Sequence, residues 1–282
     1  MNILIYANCQ GGGVKKIIDS FKSTKLRISL HHEINYMTLA LDSKGRAVDL
    51  SPEFSENISK ADIIIYQPLS RKYGFFSTEN DVDGSVMTRC RRSCVSISFP
   101  YIYNNALWPF IIEGGKVKLP SSILNEIRKA ESEKDILEKY DNGSLGFEFF
   151  NRFEETMRIL EDRERECDVK ISNYIRNNLT KNRLFLTQNH PTTNIFSEVS
   201  SKIMEVMYDI EGFCFNKEEF MREISSLPEN AAELPGYYLI DDYALRHYEF
   251  SYMERPDHGA ADYYKYVILK AFQFINKDSS IK

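Results

Sequence analysis

Long hydrophobic runs are what this 282-residue chain lacks first: no stretch approaches the roughly 20 consecutive apolar residues of a membrane-spanning helix, so no span is expected. An excess of positive charge is missing too. Against 41 Asp and Glu stand 36 Lys and Arg, a formal charge of -5, which gives no bulk reason to expect nucleic acid or an anionic membrane as partner. No basic segment with an apolar core opens the chain, so no secretory signal is expected. The cysteines Cys9, Cys90, Cys94, Cys167 and Cys214 are odd in number and lack framework spacing. That points away from disulfides and towards a reducing cytoplasm. Cys90 and Cys94 have no second Cys or His pair nearby, so no metal is expected. Repeats and low-complexity segments are absent as well.

What is present is an ordinary globular composition, 43% hydrophobic and 27% charged. The length suits two domains, or one α/β domain with insertions. Its organising stretch is Asn8-Cys9-Gln10-Gly11-Gly12-Gly13, between the apolar run Asn2 to Tyr6 and a helix opening at Val14. A strand entering a helix through a glycine-rich turn is where open α/β sheets place their chemistry, because backbone N–H groups and the helix dipole favour negative charge there. A thiol in such a place can have a lowered pKa and act as nucleophile; it can equally be an inert buried cysteine.

Further along, Arg27 to His32 alternates like a half-exposed strand. The adjacent His31, His32 and Glu33 point to opposite faces of a strand, so they read as surface polar residues. A polar helix or loop covers Asn35 to Ser59. The β-branched run from Ala61 to Tyr66 reads as a central parallel strand, which Pro68 stops with Gln67 at its carboxyl end. Asp81 to Arg92 reads as helix and Cys94 to Phe99 as a fourth strand. The aromatic loop Tyr101 to Phe110, holding the single tryptophan, suits either the face of a sugar or adenine ring or the core. Helical periodicity fills residues 121 to 181, with Glu161 to Glu166 as a solvated charge run; a cap or a homodimer surface is one reading of this insertion. Arg183 to Thr187 reads as a fifth strand, leading through Asn189-His190-Pro191-Thr192 into another helix.

The expected fold is therefore α/β: a mostly parallel five-stranded sheet sandwiched by helices. Residues 1–210 form its catalytic domain, with a helical insertion at about 120–181, and 211–282 form a helical extension packed on it. Strand ends in a parallel sheet point one way, so Cys9, Gln67 and His190 can meet in one cleft. A histidine base can activate the thiol without a metal. Asn8, Gln10, Gln67 and the Gly11, Gly12 and Gly13 amides are candidate oxyanion donors.

The Asn-Cys-Gln turn, the Gln67-Pro68 strand end and the Asn189-His190-Pro191-Thr192 segment resemble the WcbI-type capsule polysaccharide biosynthesis family over roughly residues 1 to 210. The resemblance implies an SGNH-hydrolase-like (flavodoxin-like) fold, binding of coenzyme A, and acetyl transfer. It sets Cys9 at the SGNH nucleophile position and His190 at the late catalytic histidine. Thr187 stands where SGNH enzymes carry an aspartate, so a dyad is expected rather than a triad. Coenzyme A phosphates need cations, for which Lys15, Lys16, Arg71, Lys72, Arg89, Arg91 and Arg92 are candidates, with Gly11, Gly12, Gly13, Asn189 and Thr192 as further cofactor contacts. The leading expectation is a cytoplasmic enzyme carrying acetyl from acetyl-CoA to a hydroxyl of a surface polysaccharide precursor, at the edge of an assembly complex. Alternatives are a carbohydrate esterase, and a non-catalytic coenzyme A or nucleotide-binding protein of polysaccharide assembly. A dinucleotide fingerprint and a P-loop are both incomplete, since the third glycine and the Gly-Lys-Ser/Thr are missing.

Overall fold

A computed structural model describes all residues except 23–28, 35–38, 42–46, 109, 110, 114, 115, 212–214 and 280–282. The chain runs β1 (Asn2–Ala7), α1 (Gln10–Ser20), β2 (Ser29–Ile34), β3 (Leu39–Leu41), β4 (Ala47–Leu50), α2 (Pro52–Lys60) and β5 (Ile63–Tyr66). A 3-10 segment (Arg71–Phe76), α3 (Val86–Arg89), β6 (Val95–Ser98), β7 (Ile111–Glu113), β8 (Lys116–Lys118), α4 (Ser121–Lys129) and α5 (Glu133–Asp141) follow. Then come α6 (Phe149–Glu164), α7 (Ser172–Asn178), β9 (Phe185–Thr187), β10 (His190–Pro191), α8 (Thr193–Glu211), α9 (Lys217–Ile224), α10 (Asp242–His247) and α11 (Ala260–Ser279).

The chain divides into two compact units. The first takes residues 1–102, 159–176 and 190–235. Its sheet has four parallel strands in the order β2-β1-β5-β6. The β-branched and apolar runs in β1 and β5 become central strands because both of their faces are covered. Leu4, Tyr6 and Ile64 pack with Phe54 and Ile58 of α2, the Tyr6 and Phe54 rings stacking at 5.2 Å. On the other face Ala7 lies under Gly11 of α1. Sequence signals fix α2 locally: Ser51 Oγ accepts from the Phe54 amide at 3.2 Å, Pro52 opens the helix and Lys60 closes it.

Among the described residues the sheet thus has four strands where five were expected. Phe185–Thr187 is only three residues long and stands outside it, and its Leu186 carbonyl accepts from the Tyr238 amide at 2.7 Å. Two other expectations also change. The Asn35 to Ser59 region holds the antiparallel pair β3–β4 before α2, and within Asp81 to Arg92 only Val86–Arg89 is α-helical.

The second unit takes residues 103–158, 177–189 and 236–282. There α11 packs on α4 and α5, and Tyr140 donates to the buried Asp241 carboxylate at 2.6 Å. Trp108 is fully buried and donates to the Leu239 carbonyl at 3.2 Å, so it serves the core. Phe110 lies outside the described residues. No helix among the described residues is long and apolar enough to cross a membrane.

In the first unit, α1 and α8 lie side by side in the same sense. Gly13 faces Phe196 early in α8, while Phe21 beyond the end of α1 meets Phe215 just past α8, with ring centroids 6.2 Å apart. A Cβ on Gly13 would stand 2.5 Å from the Phe196 ring. Gly13→Ala is therefore expected to cost about 1–3 kcal/mol by overpacking. Urea denaturation measures it, and Phe196→Leu should return part of the loss in the double variant. An unchanged Gly13→Ala midpoint would contradict this packing.

Candidate active site at the carboxyl edge of the sheet

In the order β2-β1-β5-β6 the chain leaves β1 in one direction and returns to β5 on its other side. The carboxyl ends of β1 and β5 therefore flank the topological switch point, where open α/β sheets bind ligands. Asn8 and Cys9 follow β1 there, and Gln67 follows β5.

These ends are laced together. Gln67 Oε1 accepts from the Asn8 amide at 3.1 Å, and Gln67 Nε2 donates to Gln10 Oε1 at 2.9 Å. Gln10 Oε1 also accepts from the Ile102 amide at 3.1 Å, while Gln10 Nε2 donates to the Ile102 carbonyl at 2.6 Å. Both glutamines are buried. Their side chains are thus spent on joining β1, β5 and the segment after β6, and they do not serve as free oxyanion donors. Asn8 Oδ1 accepts from the Gln10 amide at 2.9 Å, capping the start of α1.

The glycines also have a different role from the one expected. The Gly11 amide donates to the Asn8 carbonyl at 3.0 Å and the Gly12 amide to the Cys9 carbonyl at 3.1 Å, so neither points out as an anion cradle. A Cβ on Gly11 would stand 2.5 Å from His32 Nε2. These positions are glycine so that a histidine and a phenylalanine can approach the helix.

His32 is the site residue that sequence reading missed. It pairs with Ile5 in the β1–β2 register, is half-buried, and its Nε2 lies 3.0 Å from the Asn8 carbonyl. Strand alternation sends His31 and His32 to opposite faces, and His32 takes the inward one, under α1.

Cys9 is half-buried at the head of α1, and burial pushes its thiol up. The Cys9 and Gln10 backbone amides pull it down less. Of the two readings the sequence leaves open for Cys9, a lowered thiol and a buried one, the direction follows burial. His190, three residues ahead of Thr193, has its pKa lowered by burial, with the Pro235 carbonyl opposing. Its Nδ1 is buried without a hydrogen-bond partner of good geometry among the described residues. Because α1 and α8 run in the same sense, Cys9 and His190 lie at the same end of that helix pair.

Several expected phosphate contacts are committed elsewhere. Lys15 pairs with Asp19, Arg71 with Glu79 and Asp81, Arg89 with Asp49, and Arg91 with Asp62. Lys16 and Arg92 are exposed and show no ion pair among the described residues. Thr192 is buried, and Asn189 Oδ1 accepts from Thr187 Oγ1 at 3.1 Å.

Below the switch point opens a cavity of about 950 Å³ bordered by Asn8, Gln67, Tyr73, Tyr101 and Arg163. Arg163 and Glu166 reach it because their segment is clamped to β6. Asp168 Oδ2 accepts from the Ser98 amide at 2.8 Å and Oγ at 2.7 Å, and the Val169 amide donates to the Ser98 carbonyl at 3.0 Å.

The lowered pKa values of His32 and His190 set a pH dependence. Below about 6.5 an unfolded histidine takes up a proton that these folded ones resist, so the unfolded state binds more protons and stability falls with falling pH. The melting temperature is expected to drop between pH 7 and pH 5, and less so in His32→Gln. Identical slopes for the two proteins would count against a neutral, buried His32.

A family model described as "Polysaccharide biosynthesis enzyme WcbI" matches residues 2–208. A solved structure of WcbI is similar at a TM-score of 0.68 and 17% identity, covering 96% of this chain and 89% of that one. It is described as a novel polysaccharide biosynthesis enzyme, native and without a disulfide bond between coenzyme A and one of its cysteines. No curated protein matches.

Proposed function

The chain belongs to the WcbI family of polysaccharide biosynthesis enzymes, and from that premise we propose that it transfers an acetyl group from acetyl-CoA to a hydroxyl of a capsular or other surface polysaccharide precursor. The observation that carries this reading is the position of Cys9, half-buried at the switch point at the head of α1. The mention of coenzyme A beside a cysteine in the similar structure supports the choice of acyl donor.

In this reading neutral His190 takes the proton from the Cys9 thiol, which burial otherwise keeps protonated. The sulfur attacks the thioester carbonyl, the C–S bond to coenzyme A breaks, and the coenzyme A thiolate leaves with the proton from His190. The Cys9 amide, which lies against the sulfur, is the proposed donor to the developing oxyanion, the Gln10 amide being held by Asn8 Oδ1. The sugar hydroxyl then gives its proton to His190 and attacks the acyl-cysteine, and the proton returns to the thiol. Gln10, Gln67 and Asn8 hold the geometry rather than reacting. Lys16, exposed on α1, is the proposed phosphate contact; Arg92 stands before β6, at the opposite, amino edge of the sheet. No metal takes part in these steps. The substrates place the enzyme in the cytoplasm beside a polysaccharide-assembly complex, where two copies can associate.

The test is release of free coenzyme A thiol from acetyl-CoA that depends on an added glycan, with a thermal shift by coenzyme A that NAD and UDP-sugars do not give. Acetate release from an acetylated glycan without coenzyme A would replace transfer with hydrolysis. No shift with coenzyme A would remove the donor from the reading.

A further inference from the structure

The cavity beside Asn8 has a charge balance that bears on which substrate it takes. Two cations, Lys72 and Arg163, and two carboxylates, Glu79 and Glu166, border it. Arg71 reaches Glu79 at 3.0 Å but is shared with Asp81, so counting this outer pair leaves the formal charges cancelled. Coenzyme A is a polyanion through its phosphates, and a site for them needs a surplus of donors and positive charge. This cavity has none.

Its other features fit a neutral polyhydroxyl ring. Tyr73 is 48% exposed on the 3-10 segment, with the Lys72 ammonium 5.1 Å from its ring centroid. Tyr101 borders the cavity with the Arg163 guanidinium also 5.1 Å from its centroid. Aromatic faces take the apolar C–H face of a sugar, while interleaved cations donate to hydroxyls and carboxylates accept from them. The volume, about 950 Å³, lies at the upper end for a small-ligand site and accommodates more than one sugar ring. Asn8 and Gln67 line the cavity, so it opens at the carboxyl ends of β1 and β5, beside the turn that carries Cys9.

We infer that this cavity is the acceptor subsite and takes a neutral carbohydrate, with coenzyme A phosphates held outside it. The inference rests on the acetyl-transfer reading for the word acceptor, though not for the sugar site itself. The experiment uses the full chain with neutral disaccharides (maltose, cellobiose, lactose and mannobiose) and their uronic-acid counterparts. Binding is read by saturation-transfer NMR and calorimetry, and coenzyme A separately by thermal shift. At least one neutral member is expected to bind more tightly than its acidic counterpart. Tyr73→Ala should weaken it roughly tenfold, Tyr73→Phe should keep it within about twofold, and neither should change the coenzyme A shift. The inference is overturned if no neutral member binds, or if Tyr73→Ala and Lys72→Ala remove the coenzyme A shift and leave sugar binding intact. Sugar binding that depends on Tyr73, in a protein that neither binds coenzyme A nor transfers acetyl, would sink the proposed function and leave this subsite standing.

Discussion

Cys9→Ala is expected to lower acetyl transfer by on the order of a thousandfold or more, because it removes the atom that carries the acyl group between donor and acceptor. The melting temperature should change little, since the thiol is only half-buried and its loss leaves no buried polar group unpaired. A second readout isolates the covalent step. Wild-type protein incubated with labelled acetyl-CoA and no glycan should retain label that neutral hydroxylamine releases, and Cys9→Ala should retain none. His190→Gln should lose about a hundredfold or more at neutral pH. It should recover activity as the pH rises, because the thiol lifted by burial then ionises without a base. Full transfer by Cys9→Ala would rule out the covalent route and leave His190 acting on the sugar directly.

The largest expected effect on stability lies one residue further on. Gln10 is fully buried and satisfies the Ile102 amide, the Ile102 carbonyl and Gln67 Nε2 at once. Gln10→Ala strands the Ile102 amide and carbonyl, leaves Gln67 Nε2 only the Pro100 carbonyl at 3.4 Å, and opens a void, and each stranded group costs about 1–3 kcal/mol. With partial relaxation and water entry, a loss of about 3 kcal/mol or more is expected in urea denaturation. Gln10→Glu is a sharper probe, because it sets a carboxylate oxygen against the Ile102 carbonyl where an amide donor stood. A loss under about 1 kcal/mol for both variants would show that the network is not what joins the strand ends.

The parts of the fold written in short-range pattern were legible in the sequence. Asn2 to Tyr6 and Ala61 to Tyr66 read as buried strands from their apolar runs, and they fold as β1 and β5, the two central strands. Phe185 to Thr187 carries the same apolar signal but is three residues long, and nothing in its composition says which neighbour its backbone will bond. The glycines misled for a related reason. An absent side chain serves a phosphate or a packed ring equally well, and only the positions of His32 and Phe196 decide. The thiol's pKa direction stayed open in the sequence, because the helix N-terminus is visible there while burial is not. Arg163 sat inside a run read as solvated charge; the clamp of Asp168 on Ser98 that carries it to the cavity joins residues 70 apart in the chain.

Only Asn8 and Cys9 separate the last residue of β1 from the first of α1, and His32 is wedged against that junction. A sulfur so mounted has almost no travel of its own. An acyl group taken up there would stay at a fixed point while donor and sugar exchanged around it. Choice of sugar would then be decided by what the surrounding rim lets through, so substitutions among residues 71–79 should change which glycan is modified before they change how fast the bond is made.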